Sequence, residues 1–254
     1  MSQQSPVTAR PASAVVLARE REGGGIEVFM VRRHVRSEFV PDAFVFPGGS
    51  VKPSDIEAER NPALCAPVES AATALGTGFR AAAIRECFEE AGVLVARRGN
   101  APLSIEPGDI SRFAAYRDAL INDALTLGDL GTREGLTLAT DELLHWAHWI
   151  TPLTFPKRFD THFFLTEMPA RQEAAHDQLE TTAGAWISPE EALARYEAGD
   201  FTLVFATIHQ LRALSGLASV AAARERFSGA PPRTIMPRVV ERDGQQVILL
   251  PDEE

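Results

Sequence analysis

Short apolar runs separated by glycine and proline recur along the chain, and their spacing predicts a mixed α+β fold. Alternating or continuous runs of β-branched and aromatic residues are typical of strands. The runs predicted as strands are 12–19, 26–33, 43–46, 93–97, 145–151, 158–168 and 185–188. The Gly23-Gly24-Gly25 run predicts a tight turn between the first two. Asp243-Gly244 lies between apolar arms and predicts a hairpin near the C-terminus.

Helical periodicity recurs between these strands. The segments predicted as helices are 78–92, 110–125, 189–198, 205–214 and an Ala-rich stretch after 214. Pro189 suits the first turn of its helix. Between 50 and 77 the composition shifts to Ala, Pro, Ser and Glu with weak periodicity, which predicts an excursion with a short helix. We expect one domain over 1–254, with a C-terminal extension over about 215–254.

Composition and charge restrict the function classes. Apolar residues make up 45% of the 254, and 25 Lys+Arg against 35 Asp+Glu give a net charge of −10. This charge argues against sequence-independent binding of nucleic acid, which needs a basic face. No apolar run is long enough to span a membrane, and the first residues lack the apolar core of a signal peptide. Two cysteines cannot form a disulfide framework, so we expect a cytoplasmic protein.

The candidate chemistry is concentrated in one predicted helix. At about 100° per residue, Glu86, Glu89 and Glu90 share one face, and the apolar residues lie opposite. Arg85 lies one turn before Glu89, where it can form an ion pair. Clustered carboxylates suit a hard divalent cation such as Mg²⁺, and the alternative is a solvated acidic helix face.

The order of these residues resembles the signature of the Nudix hydrolases. The string Arg85-Glu86-x-x-Glu89-Glu90-x-Gly92 follows Phe46-Pro47-Gly48-Gly49 and an acidic residue, Asp55. Two features depart from the signature. Asp55 stands where the family usually has Glu, and 29 residues separate Asp55 from Arg85, an insertion of 22. The signature is thus 49–93, split at about 56–77.

This insertion resembles that of the coenzyme A diphosphatases of peroxisomal type, as do Trp149–Pro152 and Arg158–Leu165. The resemblance implies an α/β/α sandwich with a mixed sheet, and Mg²⁺ (Mn²⁺ as the alternative) bound by glutamates. The metal ligands it implies are Glu86, Glu89, Glu90 and the Gly49 carbonyl. The implied catalytic set is Glu86, Glu90, Arg85 and a general base, Glu180; Arg85 and Asp55 would orient the glutamates. For Glu180 a surface carboxylate is the alternative, with His176 and Asp177 nearby.

The candidate substrate-binding residues are Arg32, Arg33, Gly48 and Arg158, because arginine forks suit phosphates. A basic strand edge is the alternative for Arg32 and Arg33. The aromatic side chains of 155–164 fit either a nucleotide slot or the core. The resemblance implies hydrolysis of coenzyme A or acyl-CoA to adenosine 3′,5′-bisphosphate and a 4′-phosphopantetheine. The rivals are another nucleotide diphosphate substrate (ADP-ribose, a dinucleotide or a nucleotide sugar) and a non-catalytic binding module. A homodimer is the assembly that the family suggests.

Overall fold

The computed structural model describes residues 7–35, 40–68, 75–177 and 181–253. Its helices are α1 (Pro53–Arg60), α2 (Phe79–Ala91), α3 (Ile110–Ile121), α4 (Leu127–Glu134), α5 (Pro189–Glu197), α6 (Phe205–Leu214) and α7 (Val220–Phe227). Its strands are β1 (Arg10–Glu20), β2 (Ile26–Arg33), β3 (Phe44–Val45), β4 (Gly48–Ser50), β5 (Ala96–Arg98), β6 (Ala101–Pro102), β7 (Thr137–Leu138), β8 (Leu144–Ile150), β9 (Phe159–Glu167), β10 (Thr181–Ile187), β11 (Thr234–Ile235), β12 (Arg238–Arg242) and β13 (Gln245–Leu249).

A mixed sheet with the order β10-β2-β1-β9-β8-β11 forms the middle layer, with β3 paired to β2 and β4 to β1. β1 is parallel to β9 and β8 to β11, whereas the other pairs are antiparallel. β1 is buried continuously from Ala12 to Ala18, as expected for a strand covered on both faces. Val15 and Leu17 pack with α2, whereas Val16 packs on the opposite face with α6 and α7. The predicted α/β/α sandwich is therefore confirmed.

The insertion supplies part of the layer that carries α2. α1 packs against both α2 and α4. After α1, Ala66 N–H donates to the Leu138 carbonyl, and the Leu64 side chain packs over Gly131 of α4, where an added Cβ would lie 2.2 Å from Leu64 Cδ1. The excursion predicted over 50–77 therefore includes the expected short helix and covers the acidic helix from one side.

Most predicted elements are present, and the differences are local. β2 and α6 have the predicted bounds, and Asp243 and Gly244 adopt the positive φ values of 53° and 76° that a type I′ hairpin requires. The strand predicted at 93–97 begins only at Ala96 and pairs in a small separate sheet with β6 and β7. Among the described residues, no helix is both long and apolar enough to cross a membrane.

Candidate active site

The acidic helix α2 starts at a glycine, and its N-terminus is held by the insertion. Gly78 has φ 99° and no side chain to cap the helix. Glu59, on α1, takes that role: its Oε2 accepts hydrogen bonds from the backbone N–H groups of Gly78, Arg80 and Ala81 at 2.9, 3.0 and 3.1 Å. A carboxylate at this end also complements the helix dipole. The insertion thereby fixes the start of the helix that carries the signature glutamates.

Arg85 is a buried hub for the acidic residues. Its Nε and Nη2 donate to the two carboxylate oxygens of Asp55 at 2.9 and 3.0 Å. Its Nη1 donates to Glu86 Oε1 at 2.7 Å and to Glu89 Oε2 at 2.9 Å, and Nη2 also donates to the Ser50 carbonyl. Asp55 is 1% exposed, so the pairing replaces the hydration that the carboxylate has lost. Arg85 therefore fixes the carboxylates of Glu86 and Glu89.

The Gly48-Gly49 segment lies directly against the acidic face. The Gly48 N–H donates to Glu90 Oε2 at 2.9 Å. A Cβ on Gly48 would lie 2.5 Å from the Ser13 carbonyl oxygen, and a Cβ on Gly49 would lie 2.7 Å from Glu86 Cδ. Any larger residue at Gly48 would push β4 away from β1, so glycine is required there, whereas a side chain at Gly49 would displace the Glu86 carboxylate.

The acidic face is enclosed instead of solvated, which excludes the exposed-helix alternative. Glu86, Glu89 and Glu90 are 7%, 8% and 7% exposed. Burial raises the pKa of Glu89, and the opposing charges of Arg85 and then Lys52 lower it only in part. Glu89 Oε1 is buried and has no hydrogen-bond partner within the described part of the chain; Lys52 Nζ lies 3.9 Å away.

These observations fit a hard divalent cation. Such ions take carboxylate and carbonyl oxygens. Three glutamates, an unpartnered carboxylate oxygen and a glycine backbone pressed against Glu86 provide that donor set. A cation there would also offset the repulsion that Arg85 and Lys52 leave among the four carboxylates Asp55, Glu86, Glu89 and Glu90.

A cavity of about 850 Å³ opens over the glutamates. The charged part of its wall is lined by the three glutamates Glu86, Glu89 and Glu90, by Arg85 and Lys52, and by the backbone of Gly48 and Gly49. Its apolar part includes Trp149, Phe155, Phe159, Phe163 and Phe205. Of the aromatic residues considered in the sequence, Phe164 alone is fully buried in the core on the α2 side of the sheet. The volume and mixed lining suit a nucleotide-sized ligand with an anionic part.

The predicted substrate residues have different surroundings. Arg33 and Gly48 line the cavity. Arg32 forms a 2.7 Å ion pair with Asp42, and its proposed substrate role stays a prediction. Arg158 is buried, and its guanidinium donates to the carbonyls of Val7, Thr151 and Pro152. Backbone carbonyls thus hold the Arg158 guanidinium, and its substrate role stays a prediction.

The general base predicted at Glu180 lies outside the described residues, so its role stays a prediction. The next residue, Thr181, lines the cavity. Asp177 accepts hydrogen bonds from the N–H and Oγ1 of Thr181 at 2.9 and 2.8 Å. The start of β10 is thus fixed beside the cavity.

Two features of the site are not evident from the sequence pattern. Lys52 contacts Glu89, which is 37 residues later in the chain, and Glu59 contacts residues of α2 that are 21 and 22 residues later. Only the family signature, which marks Asp55 between Lys52 and Glu59, points to this segment.

Cys87 lies on the buried face of α2, as predicted. Burial, and then the charge of Glu90, raise the pKa of its thiol to about 12, so the thiol is un-ionised at pH 7.

Comparison with known proteins agrees with this geometry. The family model for the NUDT19 Nudix domain matches residues 59–214, more than half of the chain. This chain belongs to the NUDT19 Nudix domain family. It is 30% identical to a Caenorhabditis elegans protein named putative nudix hydrolase 7, over 81% of this chain and 60% of that protein. It is 28% identical to the chicken acyl-coenzyme A diphosphatase NUDT19, over 76% of this chain and 62% of that protein.

A solved structure supports the same assignment of the fold. The Nudix hydrolase from Alicyclobacillus acidocaldarius superposes with a TM-score of 0.75 at 28% identity, covering 89% of this chain and 99% of that one. The chain spans about three fifths of the length of the curated relatives named above. The Nudix fold therefore accounts for nearly all of this chain.

Proposed function

We propose that the chain is a divalent-metal-dependent diphosphatase that hydrolyses coenzyme A or acyl-CoA. The products would be adenosine 3′,5′-bisphosphate and a 4′-phosphopantetheine. The observation that carries the proposal is the acidic cluster held by Arg85 inside a cavity that also has an aromatic wall. The name of the chicken relative, an acyl-coenzyme A diphosphatase, supports the choice of substrate.

The cation would be Mg²⁺, with Mn²⁺ as the alternative, held by Glu86, Glu89, Glu90 and the Gly49 carbonyl. Bound there, it would neutralise phosphate charge and lower the pKa of a coordinated water. Asp55 anchors Arg85, which holds Glu86 and Glu89 directly, and the Gly48 N–H fixes Glu90. The net reaction adds one water across the phosphoanhydride: a P–O bond to one phosphorus forms, the bridging P–O bond breaks, and a proton is released.

The remaining groups suit the rest of the substrate. Arg33 lines the cavity and would meet a phosphate, for which the 3′-phosphate of coenzyme A is the candidate. The faces of Trp149 and Phe155 would stack on the adenine or cover the pantetheine arm. Glu180 would accept the proton of the attacking water from the segment just before Thr181. Each of these roles belongs to the proposal.

A substrate panel tests it. Purified protein with Mg²⁺ is given coenzyme A, an acyl-CoA, ADP-ribose and a dinucleoside polyphosphate, and products are identified by mass spectrometry. We expect turnover to be fastest for the coenzyme A compounds and to be abolished by Glu90→Gln. The matched control is Glu57→Gln, which alters an exposed glutamate of α1. Faster cleavage of ADP-ribose would reject the substrate, and turnover unaffected by Glu90→Gln would reject the site.

A further inference from the structure

Lys52 places an ammonium group at the glutamate end of the cavity. It directly precedes α1 and lines the cavity together with the glutamates. Its Nζ donates to Asp123 Oδ1 at 2.6 Å and lies 3.9 Å from Glu89 Oε1. Asp123 follows α3, before α4 begins, and lines the cavity as well. The ammonium thus lies between a proposed metal ligand and an exposed carboxylate.

We propose that the Lys52 ammonium binds a phosphate oxygen of the substrate's diphosphate, and that Asp123 holds the ammonium clear of Glu89. This inference rests on the proposed diphosphatase function and adds to it a residue that contacts the diphosphate. An ammonium group is a compact charge with three N–H donors, which suits a phosphate. It would also offset the repulsion between the diphosphate and the carboxylates of the cavity wall.

Arg85, the other cation beside the glutamates, has no donor left for a substrate. Its five N–H groups make five hydrogen bonds to carboxylate and carbonyl oxygens of the protein. The Lys52 ammonium makes one hydrogen bond to the described residues, that to Asp123, which leaves two N–H donors for a ligand. The Lys52 side chain is one-third exposed, so a ligand in the cavity can reach it.

The pairing with Asp123 keeps Glu89 available to a metal ion. The 3.9 Å between Lys52 Nζ and Glu89 Oε1 is too long for a hydrogen bond, and this buried oxygen has no hydrogen-bond partner among the described residues. The ammonium therefore adds positive charge near Glu89 without occupying the oxygen that would bind the ion. Because the Asp123 side chain is 74% exposed, water can solvate it when a phosphate draws the ammonium away.

The backbone of Lys52 is fixed by the residue that also anchors Arg85. The Lys52 N–H donates to Asp55 Oδ2 at 2.8 Å, and the Asp55 N–H donates to the Lys52 carbonyl at 3.0 Å. Asp55 in turn accepts two hydrogen bonds from Arg85. The Lys52 side chain therefore starts from a fixed point, and its flexible four-carbon stem lets the ammonium follow a phosphate.

The test measures the binding of methylenediphosphonate, a diphosphate analogue in which a CH₂ group replaces the bridging oxygen. Calorimetry of the full chain in excess Mg²⁺ gives its affinity, and the free Mn²⁺ electron paramagnetic resonance signal gives metal uptake separately. Lys52→Met should weaken the diphosphonate affinity by about 10- to 100-fold, the effect of losing a hydrogen bond to a charged group. Its Mn²⁺ uptake should not weaken, because a positive charge near the ion is removed. Lys52→Arg keeps the charge and should lose less diphosphonate affinity.

The matched control is Lys157→Met, which changes the other lysine of the chain, an exposed residue that does not line the cavity. It should bind both probes as the wild type does. Asp123→Asn breaks the ion pair but keeps the ammonium, so it should lose less diphosphonate affinity than Lys52→Met. Its Mn²⁺ affinity should fall, because the released ammonium can approach Glu89. Circular dichroism checks that each variant is folded.

The inference is overturned if the wild type does not bind the diphosphonate, or if Lys52→Met binds it as the wild type does. Equal losses in Lys52→Met and Asp123→Asn would mark the ion pair as a structural tie and would also overturn it, as would weakened Mn²⁺ uptake by Lys52→Met. An unchanged Mn²⁺ affinity in Asp123→Asn would overturn the role of Asp123. Lys52-dependent diphosphonate binding without turnover of any coenzyme A compound would reject the proposed substrate and leave the Lys52 assignment intact.

Discussion

Replacement of Arg85 by methionine tests the role of the buried hub. The substitution keeps an unbranched side chain but removes the guanidinium donors to Asp55, Glu86 and Glu89. Asp55 is then the critical residue, because it is 1% exposed and its carboxylate loses both hydrogen bonds from the guanidinium. Breaking a buried ion pair from one side costs about 3–5 kcal/mol of unfolding free energy. For a chain of this size that corresponds to a fall in Tm of roughly 6–20 °C.

The assay is urea unfolding followed by circular dichroism, in EDTA so that no divalent ion compensates for the lost charge. The matched control is Arg32→Met, which removes a half-exposed pair with Asp42 and should cost no more than about 1 kcal/mol. Adding Asp55→Asn to Arg85→Met should recover part of the loss, because the uncompensated buried charge is removed. A loss for Arg85→Met as small as the control's, or no recovery in the double variant, would refute this reasoning.

Three further predictions concern the surroundings of the glutamates. Gly49→Ala places a methyl group against Glu86 and should lower Mg²⁺-dependent turnover by about 100-fold in a folded protein. Gly108→Ala, where the added methyl group meets no neighbouring atom, should leave turnover unchanged, and equal turnover of the two variants at varied Mg²⁺ would contradict the prediction. Glu59→Ala removes the cap of α2 and should lower the free energy of unfolding, measured in urea, by about 1–2 kcal/mol. Glu59→Gln should lower it by less, and equal losses in the two variants would contradict the capping role. Burial raises the pKa of Glu89 above 4.5, so this residue favours folding below pH 4.5, and its contribution is lost as the pH rises through the raised pKa. In EDTA, the free energy of unfolding of Glu89→Gln should therefore increase relative to that of the wild type as the pH rises. A difference that stays constant with pH would contradict this prediction.

The fold was predictable where local signals agree with the tertiary structure. The Asp243-Gly244 hairpin and α6 follow directly from turn chemistry and periodicity. α4 was not predicted, because Gly128 and Gly131 resemble helix breakers. In the structure Gly131 is required, since Leu64 from the insertion packs where its side chain would be. A contact between distant segments thus overrides the local propensity.

In the candidate site, too, local spacing was predictable from the sequence and contacts between distant segments were not. The spacing of Glu86, Glu89 and Glu90 within one helix placed them together, because helical geometry alone decides it. The surroundings of Arg158 could not be predicted, because the carbonyls that hold it, including that of Val7, belong to segments that meet only in the folded chain.

Uptake of a divalent ion by the glutamates is the claim on which the proposed chemistry depends. Mn²⁺ binding, followed by the loss of the free-ion electron paramagnetic resonance signal, measures it without any substrate. Wild type and Glu57→Gln should take up Mn²⁺, and Glu86→Gln and Glu90→Gln should each bind it far more weakly while remaining folded. Equal uptake by all four proteins would contradict the placement of the metal on α2.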